Sequence, residues 1–133
     1  MAVTSTENLP LVSEPDIVAI RRRVREISSQ LGFTLVDQTK VVTAASELAR
    51  NTVIYGGGGA VQVESLNGPR VGLRLSFEDK GPGIPDIDLA LRNGYTTGSG
   101  MGLGLGGAKR LVNDFEIVSR VGEGTKVTIT RWK

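Results

Sequence analysis

The chain has 133 residues, with 18 glycines, no histidine and no cysteine, and its 16 Lys and Arg against 14 Asp and Glu leave a net charge of +2. Those absences exclude a Ser-His-Asp triad, an imidazole metal ligand, a phosphohistidine on this chain, a disulfide framework and a thiol nucleophile. Any chemistry must rest on carboxylates, amides, hydroxyls and backbone.

The length suits one domain, 1–133, and 39% hydrophobic residues are enough for a packed core. No run approaches the roughly 18 apolar residues of a membrane span, and the polar start has no secretory character, so a cytoplasmic location is expected, with no membrane partner. The charge excess is smaller than a dedicated nucleic-acid binder carries, and no nucleic-acid partner is expected.

Residues 1–8 are polar and are expected to fray, with a short first strand at Leu9–Val12. Ser13 and Asp16 have the spacing of a reciprocal helix cap. Ile17, Ile20, Val24, Ile27 and Leu31 then recur on one helical face, and Gly32 stands where a left-handed C-cap belongs. That face lasts barely two heptads, which fits packing on a sheet better than a coiled-coil seam. The basic run on this helix, Arg21, Arg22, Arg23 and Arg25, reads as a solvated face, with docking of an acidic partner as the alternative.

A second helix is predicted over Asp37–Ile54, with Val41, Ala44, Ala45, Leu48 and Ala49 inward, and Gly56–Gly59 end it. Val61 and Val63, then Val71, Leu73, Leu75 and Phe77, alternate on either side of Asn67-Gly68-Pro69-Arg70, the pattern of an antiparallel hairpin. After Gly81-Pro82-Gly83-Ile84-Pro85 a short helix is expected around Asp86–Arg92. The glycine-rich stretch from Gly94 to Gly107 looks too irregular for a core element and leads into a helix through Lys109–Val112. Phe115–Ser119 and Thr125–Trp132 form a last hairpin around Val121–Gly124. These elements predict an α+β, two-layer sandwich with helices on one face of a mixed, mostly antiparallel sheet.

Four segments could build one site. Glu47 and Asn51 lie four apart on the second helix, so both project from one face, where an amide oxygen can ligate a hard cation and a carboxylate can deprotonate a hydroxyl. Asp79, with Gly81 and Gly83 after it, can point a carboxylate into a cleft and let a flat ligand approach the backbone. The alternating glycines at 98, 100, 102, 104, 106 and 107 before an apolar helix suit a phosphate chain. Gly122-Glu123-Gly124-Thr125 is by itself a turn. The formal G-x-G-x-x-G at Gly102–Gly107 follows no strand, which argues against a dinucleotide fold, and neither a P-loop nor a protein-kinase catalytic loop is present.

In this order the segments resemble the Bergerat ATP-binding fold shared by DNA gyrase, Hsp90, histidine kinases and MutL. Within that superfamily Glu47-Leu48-Ala49-Arg50-Asn51, Glu78–Asp86 and Gly122–Thr125 are most similar to the bacterial anti-sigma-factor serine kinases, in particular the stressosome switch-protein kinases. The resemblance implies ATP and Mg²⁺ as cofactors, Asn51 as the metal ligand and Glu47 as the catalytic base. It also implies nucleotide contacts from Asn51, Asp79, Gly81, Gly83, Gly100, Gly102, Gly104, Leu105 and Thr125, and a lid over the phosphates from about Asn93 to Leu105. Thr52 departs from the small alanine that many relatives carry after the asparagine. Lys80, Arg92, Lys109 and Arg110 are the candidates for a phosphate-binding cation. The expected activity is phosphorylation of a serine on a STAS-domain partner, after which the kinase activates a PP2C-type phosphatase. The alternative is an anti-sigma-like binding module whose nucleotide state only tunes complex formation.

Overall fold

A computed structural model describes residues 2–92 and 104–133. In chain order the elements are β1 (Ala2–Leu11), α1 (Glu14–Gln30), α2 (Leu35–Ile54), β2 (Gly59–Asn67), β3 (Gly72–Asp79), α3 (Ile87–Ala90), α4 (Gly104–Arg110), β4 (Asp114–Arg120) and β5 (Gly124–Trp132). The five strands form one sheet in the order β1-β2-β3-β5-β4, antiparallel at every pairing. The architecture is the expected two-layer α+β sandwich, with a sheet that is antiparallel throughout the described residues where a mixed one was expected.

Period-two alternation determines which side of the sheet is covered. Val61, Phe77 and Val127 stand abreast, as do Val63, Leu75 and Ile129, and all six are buried beneath the helices. Their neighbours in between, such as Gln62, Ser76 and Thr128, are exposed or half-buried on the other face. Helix α1 contributes Ile20, Val24 and Ile27 to the core. Helix α2 contributes Val41, Ala44, Ala45, Leu48 and Ala49, and its three alanines let it lie close to its neighbours α1 and α4.

The helix ends follow the sequence chemistry. The Asp16 carboxylate accepts from the Val12 and Ser13 amides at 2.9 and 3.2 Å, which settles two otherwise unpaired donors at the start of α1. At its other end Gly32 has φ +87°, and the Phe33 amide donates back to the Ser28 carbonyl at 3.0 Å, the left-handed stop that the glycine predicted. Helix α2 begins two residues before the predicted start because the Thr34 hydroxyl caps the Asp37 amide.

Two expectations change. Residues 2–8 do not fray: they pair with β2 over nearly its whole length, interrupted by one irregularity between Val3 and Ser5. As an edge strand that is mostly exposed, this segment has no alternating apolar pattern to reveal it, and backbone pairing holds it instead. Glu7 within it pairs with Arg23 of α1, whose guanidinium holds that carboxyl below its usual range. The basic run is thus split, with Arg23 committed to β1 and Arg21, Arg22 and Arg25 exposed.

The second change concerns the glycine stretch. Its last four residues, Gly104-Leu105-Gly106-Gly107, already belong to α4, and Leu105, Gly106 and Gly107 are buried against the core. Poor helix propensity is overridden by packing on α2. A side chain at Gly106 would lie 2.4 Å from the Leu91 carbonyl oxygen, so this glycine is required for close approach of chain segments. Among the described residues no helix is long and apolar enough to cross a membrane.

Candidate functional site

The sheet supplies one wall of the site as a single row. Leu11, Gly59, Asp79, Thr125 and Ser119 stand abreast across all five strands, on the helix-covered side. Leu11 closes this row at one end and is fully buried. Asp79 ends β3, beyond the last apolar rung, so its carboxylate emerges where the core opens.

Backbone packing fixes that carboxylate. Its Oδ1 accepts the Gly81 amide at 2.9 Å. On the opposite side lies Gly56, just past α2, where a Cβ would stand 2.4 Å from Asp79 Cγ. Only a residue without a side chain admits the carboxylate there, which gives a purpose to one of the four glycines that had seemed only to end a helix.

The loop after β3 is stitched to the β4–β5 hairpin. Gly83 has φ +78°, and a Cβ on it would meet the Arg120 carbonyl oxygen at 2.3 Å, so both conformation and space call for glycine. The Gly122 amide donates to the Pro82 carbonyl, and the Ile84 amide donates to Ser119 Oγ, each at 2.8 Å. Ser119 Oγ in turn shares a 2.7 Å hydrogen bond with the Thr125 hydroxyl. Ser119 was not singled out in the sequence, because its role depends on two segments that only the folded sheet brings to it.

Helix α2 supplies the facing wall. Glu47, Leu48, Arg50, Asn51, Thr52 and Tyr55 line the cleft from successive turns of its C-terminal half. The departure at Thr52 is accommodated: its hydroxyl donates to the Leu48 carbonyl at 2.9 Å, so it stays buried without an unpaired donor.

Between the walls lies a cleft of about 460 Å³, within the range of small-molecule sites. Of the site residues expected from sequence, Glu47, Asn51, Asp79, Gly83, Gly104, Leu105 and Thr125 line it. Gly81 stands behind Asp79 as its amide donor. Gly100 and Gly102, with most of the expected lid, lie outside the described residues. Phe77, Val127, Ile84, Leu89 and Leu105 make the floor and one side apolar, suited to a flat ring with polar groups at its edge. Among the described residues the charged ones lining the cleft are Glu47, Asp79 and Asp86 against Arg50 alone. None of Lys80, Arg92, Lys109 and Arg110, the cations proposed from sequence, lines the cleft.

Residues 36–133 match the family described as "Histidine kinase-, DNA gyrase B-, and HSP90-like ATPase". The chain belongs to this ATPase family. Within it, the ATPase is 43% identical over 123 residues to the serine/threonine-protein kinase RsbT of Bacillus subtilis, an alignment covering 92% of each chain. It is 32% identical to an anti-sigma F factor of Clostridium kluyveri, over 84% of this chain and 82% of that one. Among solved structures, the RsbU and RsbW domains of a Mycobacterium tuberculosis protein superpose with a TM-score of 0.66 at 21% identity. That match takes in 98% of this chain and 33% of the longer one. The mycobacterial sensor histidine kinase MprB superposes with a TM-score of 0.57 at 19% identity, over 96% of this chain and 97% of that one. Both likenesses are of fold.

Proposed function

We propose that the chain is a protein serine kinase that transfers the γ-phosphoryl group of ATP to a serine of a separate STAS-domain protein. The observation that carries this reading is the placement of Glu47 and Asn51, one turn apart on α2, across a single cleft from Asp79 and Thr125, in a chain 43% identical to a serine/threonine-protein kinase.

The roles follow from the chemistry of each group. Asp79, held by Gly56 and Gly81, accepts a hydrogen bond from the exocyclic amine of adenine, and Thr125 assists beside it. Gly83 keeps the backbone low enough for the ring to approach, and Gly104 and Leu105 border the phosphate end. Glu47 accepts the proton of the attacking seryl hydroxyl as the oxygen–phosphorus bond forms and the bond from the γ-phosphorus to the bridging oxygen breaks. Little covalent work is asked of the protein, which explains how a chain without histidine or cysteine can carry the reaction.

Mg²⁺ fits the donor set. Asn51 offers a hard amide oxygen beside the Glu47 carboxylate, and among the described residues no three acidic side chains converge as a cage. That suits a cation that keeps waters and binds mainly through substrate phosphates. When bound, it would neutralise charge on the triphosphate.

The proposed setting is a cytoplasmic bacterial stress pathway built on partner switching. Unphosphorylated STAS-domain scaffold proteins of a stressosome sequester the kinase, and phosphorylation releases it to activate a PP2C-type phosphatase. Incubation with labelled ATP, Mg²⁺ and a STAS-domain partner is expected to yield phosphoserine on the partner. Nucleotide binding without any transfer would remove the kinase reading. The similarity to anti-sigma F factors supports a second reading, a binding module whose nucleotide state tunes complex formation. Glu47→Gln separates the two, because a module that only binds should keep its regulatory output.

A further inference from the structure

We infer that Arg50 grips the phosphate chain of the nucleotide, an inference that rests on the ATP reading above. Among the described residues Arg50 is the one basic side chain lining the cleft, three residues after Glu47 and next to Asn51 on α2. It is half-buried at the edge of the site.

Its surroundings leave its charge uncommitted. Ion pairs among the described residues use Arg23, Arg74 and Arg131, and Arg50 belongs to none of them. Neither Glu47, one turn away, nor Asp79 or Asp86 comes within ion-pair distance. Residues 93–103 contain no Asp or Glu, so the segment outside the described residues holds no carboxylate to pair with it.

The cleft's charge balance favours such a cation beside the metal. Three carboxylates line the walls, and a triphosphate adds further negative charge between them. A guanidinium presents a planar fork of donors that matches phosphate oxygens and stays charged at any working pH. Lys80, Arg92, Lys109 and Arg110 are all exposed outside the cleft, which leaves Arg50 as the described cation able to offset that charge from the chain itself. The Glu-x-x-Arg-Asn spacing then sets three functions on one face of one helix: proton acceptor, phosphate cation and metal ligand.

The test is a calorimetric titration of the full chain, with no turnover required. Wild type, Arg50→Gln and Arg50→Lys are each titrated with ATP plus Mg²⁺ and with adenosine. For Arg50→Gln, ATP affinity is expected to fall about tenfold or more while adenosine binding stays within about twofold. Arg50→Lys should recover part of the loss, since charge is kept while the fork is not. Equal loss for ATP and adenosine, or no loss for ATP, would overturn the assignment. Wild type that binds adenosine but shows no preference for ATP overturns it as well. Wild type that binds neither ligand takes the nucleotide reading down with it, whereas wild type and Arg50→Gln that bind ATP equally strike the Arg50 assignment alone.

Discussion

On one wall of the cleft, Asp79 is held by backbone: an amide donor at Gly81, a bare Cα at Gly56, and a hairpin tied to the β3 loop through Ser119. On the other wall, Glu47, Arg50 and Asn51 project from α2 with no side-chain partner among the described residues. The first wall is held by contacts within the fold, and its geometry belongs to the fold's own stability. The second wall carries charged and polar groups that make no side-chain bond to the rest of the described fold. Changes on the Asp79 side should therefore damage stability and affinity together, whereas changes on the α2 side should damage chemistry and leave the fold alone.

The sharpest break between the walls is expected at Glu47. Glu47→Gln should lower phosphoryl transfer by about 100-fold or more, the scale of a lost general base. Its unfolding free energy should stay within about 0.5 kcal/mol of wild type, as for a side chain with no structural partner. Transfer assays beside urea denaturation check both halves, and a large stability loss would show that the α2 wall is structural after all.

Gly56→Ala should do the opposite. A methyl group 2.4 Å from Asp79 Cγ must displace the carboxylate, so nucleotide affinity should fall about tenfold and stability by about 1–3 kcal/mol. Affinity retained in a destabilised variant would mean that the Asp79 carboxylate can move without cost to binding.

A milder version of the same coupling is expected at Ser119→Ala. It leaves the Ile84 amide without its acceptor and frees the Thr125 hydroxyl, at a cost of about 1–2 kcal/mol by urea denaturation and a few-fold in nucleotide affinity. No change in either measurement would show that the hairpin and the β3 loop are not coupled through it.

The smallest effect belongs to Asp37→Asn, outside both walls. Asp37 Oδ1 accepts from Arg131 Nη2 at 2.7 Å, and this bond holds the carboxyl below its ordinary value. A folded pKa below the unfolded one means that the pairing adds stability above the ordinary carboxylate range and loses it as pH falls through the depressed value. Melting temperature followed from pH 7 into acid should fall less in Asp37→Asn than in wild type, with nucleotide affinity at neutral pH unchanged in both. An identical acid limb in the two proteins would show that the pair does not contribute.

How much of this was legible beforehand depended on whether the signal was local. The face of α1, its Gly32 stop and the alternation of both hairpins are local patterns, and each element appears where its pattern lies. Glu47 and Asn51 could be placed on one helical face from spacing alone, and seven of the ten expected site residues line the cleft. Residues 2–8 gave no such signal, because an exposed edge strand is held by pairing with β2 rather than by burying its own side chains. The close approach at Gly106 could not be read beforehand, because glycines that free amide donors and glycines that permit close packing look the same in sequence.

By itself, then, the sequence determined the faces of α1 and α2, the two hairpins, the exclusion of imidazole and thiol chemistry, and the common helical face of Glu47 and Asn51. Local periodicity and turn chemistry encode such features within a few residues. Only the tertiary structure decided that Gly56 makes room for Asp79, that Ser119 joins Thr125 to Ile84, and that Arg50, rather than the four cations near the glycine segments, reaches the cleft. These contacts join residues up to 35 positions apart, as Ile84 and Ser119 are, and only the packing of helices on the sheet sets their distance.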